Sequence, residues 1–137
     1  METPCELWFY KGPGKFFDKL IRWWTKGEYS HVEIVVDGTA YGADAWSGRV
    51  IQRHVSGFNP QKWDIVPVSS EKDLQWLEKQ VGKKYDYLGI LGFFFFAAQR
   101  TSWWYCSELA AVFTGIKERP ISPQRLYEIL TEDKDNG

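Results

Sequence analysis

The chain has 137 residues, 44% apolar and 26% charged, which is the composition of one globular domain. Seventeen Lys and Arg against eighteen Asp and Glu give a formal charge of −1, which excludes the strongly basic footprint of a nucleic-acid binder. Aromatic residues reach 18%, enough ring volume to fill a sizeable core and leave some over for a groove or a peripheral membrane contact.

Glu6–Tyr10 predicts a short first strand, ended by Gly12, Pro13 and Gly14. The first ten residues lack a basic start followed by an apolar run, so no secretory signal is expected and the cytoplasm is the expected compartment. Lys15–Thr25 places Phe16, Leu20, Trp23 and Trp24 on one side at helical spacing, with basic residues opposite, and Gly27 stops it. His31–Val36 is the clearest β signal, followed by Asp37-Gly38 and a second β-rich run over Thr39–Trp46. Asp-Gly between two such runs predicts a tight hairpin, because a primed turn needs positive φ. Ser47-Gly48 predicts another turn, returning through Arg49–Val55, and Trp63–Val68 a further strand.

The second half reads as helical. Ser70 is expected to cap a helix over Glu71–Val81, with Asp73 in its first turn. Asp86–Ala98 is apolar on all sides, which suits either a buried helix or one lying on a greasy surface. Its apolar run, Leu88–Ala98, is far shorter than the about twenty residues that span a membrane. Cys106–Thr114 predicts a short helix ended by Gly115, and Ser122-Pro123 opens a last helix through Leu130. Thr131–Gly137 reads as a polar tail behind a single domain over 1–130. Strands first and helices after, joined by antiparallel hairpins, make an α+β domain.

Cys106 falls in the first turn of its helix, where unpaired N–H groups and the helix dipole stabilise a thiolate and could receive an oxyanion. Taken alone it is equally a small buried hydrophobe. The hairpin supplies a base. With a two-residue turn, Val36 faces Thr39 and His31 faces Asp44, and opposed side chains have Cβ atoms about 4.5–5.5 Å apart. Asp44 is thus the expected carboxylate to orient His31, and the alternative is Glu33, on the same face opposite Gly42. With Ser47-Gly48 as a two-residue turn, Asp44 faces Ile51 and His54 faces Tyr41, which sends His54 to the other face. Two cysteines without CxxC spacing and two histidines predict no metal site.

The strings Tyr29-Ser30-His31-Val32-Glu33-Ile34-Val35-Val36, Gly82-Lys83-Lys84-Tyr85-Asp86 and Trp104-Tyr105-Cys106-Ser107-Glu108-Leu109 resemble the circularly permuted NlpC-type papain-like hydrolases. That group includes the YiiX/YaeF-like amidases and small phage-encoded members, and is distantly related to lecithin:retinol acyltransferase. The resemblance runs from about Leu7 to the Ser122-Pro123 helix. It implies an antiparallel sheet packed on helices, with the His strands preceding the Cys helix. It also implies Cys106 as nucleophile, His31 as base, and Asp44 where the family usually has Glu. No cofactor is implied, and the substrate would be a peptide, a peptidoglycan fragment or an acyl lipid. Tyr10, Tyr85, Trp104 and Tyr105 are the expected substrate-binding side chains, and a phage-encoded member would work in the host cytoplasm or on the virion. The expected activity is a cysteine amidase or peptidase. Its alternatives are an acyltransferase or lipid hydrolase on the same site, and an inactive or membrane-surface binding module.

Overall fold

Asp37 and Gly38 adopt φ of 51° and 81°, so the chain reverses on these two residues and Val36 pairs with Thr39, as the Asp-Gly turn requires. This hairpin lies within a computed structural model that describes residues 3–12, 29, 31–44, 47–84, 106–118 and 121–135. The expected helices over 15–25 and 86–98 lie outside the described residues, as do Tyr85, Trp104 and Tyr105.

The elements in chain order are β1 (Thr3–Tyr10), β2 (His31–Val36), β3 (Thr39–Asp44), β4 (Arg49–His54), β5 (Trp63–Ser70), α1 (Leu74–Gln80), α2 (Cys106–Thr114) and α3 (Pro123–Asp135). The strands form one five-stranded antiparallel sheet in the order β4-β3-β2-β1-β5. With these helices the described residues make an α+β architecture.

Alternation along the strands divides the sheet into two faces. One carries Leu7, Phe9, Val32, Ile34, Val36, Tyr41, Val50 and Val66, and is covered by Leu109, Ala110 and Phe113 of α2 together with Ile121 and Leu126. The other carries Trp8, Val35, Ala40 and Trp63, against which Tyr10, Val55 and Phe58 pack. The aromatic surplus is therefore spent partly on a second, smaller apolar cluster.

Three expectations are corrected. The β3–β4 connection is a four-residue loop: Asp44 pairs with Arg49, not Ile51, and His54 with Thr39, not Tyr41. Asp44 closes this loop, its carboxylate accepting Ser47 N–H and its carbonyl Gly48 N–H, each at 2.9 Å. The shift is two residues, so every side chain keeps its expected face. Ser70 belongs to β5, and its hydroxyl donates to the Lys72 carbonyl (2.6 Å); the N-cap of α1 is Asp73, which accepts Trp76 N–H at 2.9 Å. The last helix runs past Leu130 to Asp135, so most of the expected tail is helical. Its start is as expected, with Ser122 Oγ accepting Arg125 N–H at 3.0 Å and Pro123 as the first helical residue. No helix among the described residues is long and apolar enough to cross a membrane.

Candidate active site

His31 opens β2 and points to the face opposite α2, with its side chain 21% exposed. Its strand neighbour Tyr10 pairs with it from β1, and the Tyr10 ring lies 5.0 Å from Trp63, whose ring is 6.4 Å from the imidazole. The approach to β2 is fixed by Tyr29, a buried residue whose ring packs on Phe9 and Tyr127. Its hydroxyl donates to Asp64 at 2.5 Å, and Asp64 also pairs with Lys11 at 2.7 Å. Burial works against the charge of Asp64, yet the hydrogen bonds from Lys11 and Tyr29 and the Lys11 charge outweigh it and hold this carboxyl below its ordinary range. Burial, followed by the bonds to Asp64 and Tyr127, pushes the Tyr29 hydroxyl well above the usual tyrosine range, so it stays a donor.

The carboxylate beside His31 is Glu33. His31 Nε2 stands 3.2 Å from Glu33 Oε1, and the Arg53 guanidinium reaches the same oxygen at 2.9 Å. Glu33 is 1% exposed, and its Oε2 has no hydrogen-bond partner among the described residues. Among the described residues no ion pair joins Asp44 to His31. The β2–β3 register is the expected one, but the paired stretch runs from Val36↔Thr39 only to Ile34↔Tyr41, and the Asp44 carboxylate is engaged by the loop it closes.

Small residues on β3 explain how side chains from the two strands that flank it meet. Glu33 lies across Gly42, where an added Cβ would fall 1.7 Å from its Oε2, and Arg53 pairs with Ala40 on the same face. With no bulk at positions 40 and 42, a side chain from β2 and one from β4 touch across the strand between them. The sequence reading missed Arg53, although alternating Ala40 and Gly42 opposite a buried acid was the available signal. Replacing Gly42 by Ala is expected to displace the Glu33 carboxylate and cost about 1–3 kcal/mol. Gly57→Ala, where nothing lies within 4 Å, should stay within about 0.5 kcal/mol, and paired denaturant melts check both.

His54 is exposed on the other face and accepts Ser56 N–H through Nδ1 at 3.1 Å, so it has a local capping role. Cys5 is a free, buried thiol, pushed up to about 11 by burial and then by the Glu6 charge. Cys106 is the first residue of α2, which packs chiefly on β2 and β3. No group of three metal-ligating side chains occurs among the described residues.

A carboxylate 3.2 Å from Nε2 favours the proton on that nitrogen, and Nδ1 is then the basic one, the state in which an imidazole removes a proton. The arrangement is thus a candidate general base with its orienting acid, on a strand that also supports the helix opened by Cys106. Comparison with protein-family models, curated proteins and solved structures finds no match for this chain.

Proposed function

We propose that the protein is a cysteine hydrolase of the amidase or peptidase type, with a permuted papain-like fold, in which Cys106 is the nucleophile, His31 the base and Glu33 the residue that orients it. The observation that carries this reading is the buried Glu33 carboxylate 3.2 Å from His31 Nε2. It is joined by the placement of Cys106 at the start of a helix packed against the strand that His31 opens. Because α2 covers the opposite face, the reading requires the thiol to reach His31 around the end of the sheet, and His31 as the first residue of β2 suits that approach.

In this mechanism the Cys106 proton passes to His31 as the sulfur–acyl bond forms, with N–H groups of the helix start facing the oxyanion. The imidazolium then protonates the leaving amine or alcohol as its bond to the acyl carbon breaks. Water then gives a proton to His31 as its oxygen attacks the thioester carbonyl; the carbon–sulfur bond breaks and the imidazolium returns the proton to sulfur, leaving the acid and the free thiol. A peptide, a peptidoglycan fragment or an acyl lipid supplies a suitable carbonyl.

The test is trapping of the acyl-enzyme. Incubation with p-nitrophenyl acetate followed by acid quench and peptide mass spectrometry should show one acetyl group on Cys106 and none on Cys5. His31→Ala should abolish the adduct. Equal labelling of Cys106 in wild type and His31→Ala would remove the base from the account.

A further inference from the structure

Two nitrogens approach one carboxylate oxygen: His31 Nε2 at 3.2 Å and Arg53 Nη2 at 2.9 Å share Glu33 Oε1. Arg53 is charged at every working pH, whereas His31 is charged only when protonated. A buried acid facing a histidine alone favours the imidazolium, and a fixed positive charge on the same oxygen disfavours it. We propose that Arg53 is a positioning residue that sets the proton affinity of His31 through the Glu33 oxygen they share, so that the imidazole gives up its proton more readily than Glu33 alone would allow.

The fold holds Arg53 for this task. Its guanidinium lies 4.5 Å from the centre of the Phe58 ring, and Phe58 stacks on Trp63 with ring centres 4.7 Å apart and planes 14° from parallel. The same Trp63 flanks His31. One aromatic shelf therefore carries both the arginine and the histidine, with Ala40 and Gly42 leaving the gap that Glu33 bridges. Ionisable groups on the strands that flank β2 include Tyr10, which pairs with His31, Lys11 just beyond it with its partner Asp64, and Asp44 at the end of β3. Arg53, 2.9 Å from the Glu33 oxygen, is the fixed cation that offsets its charge. For the proposed reaction, on which only this consequence rests, a less tightly held proton favours the step in which the imidazolium protonates the leaving group.

The chain contains two histidines, which makes ring-proton NMR titration a direct readout, with exposed His54 as internal reference. The titration is done in full-length Cys106→Ala, so that no thiol titrates with the ring. Arg53→Gln should raise the His31 midpoint by about one pH unit, well beyond any change at the adjacent His54, and Arg53→Lys should return it most of the way. An unchanged or lowered midpoint in Arg53→Gln overturns the proposal. A measurement that keeps Arg53 guards against a variant that fails to fold: above the midpoint, ring nitrogen shifts should place the proton on Nε2, and a proton on Nδ1 would overturn the shared-oxygen geometry. A His31 that follows Arg53 in a protein whose Cys106 forms no acyl adduct sustains this inference while the hydrolase reading falls. A His31 indifferent to Arg53 beside a reactive Cys106 does the reverse.

Discussion

Phe113→Ala is expected to remove about 3–5 kcal/mol of stability, a large part of the 5–15 kcal/mol typical of a domain this size. Phe113 is fully buried in the main core and stacks at 28° on Trp76 of α1, with ring centres 6.1 Å apart. It is the largest side chain by which α2 docks on the sheet, and the neighbours Ala110 and Ala111 are too small to fill the space it would leave. Because Cys106 opens this helix, the substitution bears on the candidate nucleophile as well as on the fold. Ile65→Ala on the opposite face, where the side chain is 42% exposed, should change stability by no more than about 0.5 kcal/mol. A loss under about 1 kcal/mol for Phe113→Ala in a urea melt would show that α2 is not anchored through this ring.

Much of this architecture was legible in the sequence because short-range rules governed it. The Asp37-Gly38 turn fixed the β2–β3 register, and period-two alternation sent Val32, Ile34 and Val36 to the core and His31 and Glu33 to the other face. Cys106–Thr114 ended at Gly115, whose φ of 85° suits the helix stop expected there. What misled the reading was competition between neighbouring polar groups. Asp44 can pair with a histidine or close a loop through Ser47 N–H, and the sequence contains nothing that ranks the two; the structure shows the second. Ser70 was the expected cap of the helix and Asp73 an acid of its first turn; β5 runs long enough to take in Ser70, and Asp73 is the cap.

The Glu33–Arg53 contact was harder to foresee because it spans a strand. Each partner alone reads as an ordinary polar residue on a sheet face, and their meeting depends on β3 offering Gly42 and Ala40 between them. A contact set by what is missing from the intervening strand leaves little trace in propensity or periodicity. It becomes visible only when the registers of β2, β3 and β4 are combined. The same applies to Tyr29 and Asp64, which lie far apart in sequence and meet because β5 pairs with β1 on the far side from β2.

The claim that Cys106 is activated by His31 is tested most directly by the pH dependence of its alkylation, followed by peptide mass spectrometry. A free cysteine titrates near about 8.5, while a His-paired thiol at a helix start falls several units lower, and its intrinsic nucleophilicity falls somewhat with it. Cys5, buried and pushed up to about 11, marks the behaviour of an inert thiol in the same molecule. The account predicts that at pH 6 Cys106 reacts roughly 10- to 100-fold faster in the wild type than in His31→Ala, with Cys5 unreactive in both. A Cys106 that reacts at the same rate in both proteins, or only after unfolding as Cys5 does, would contradict it.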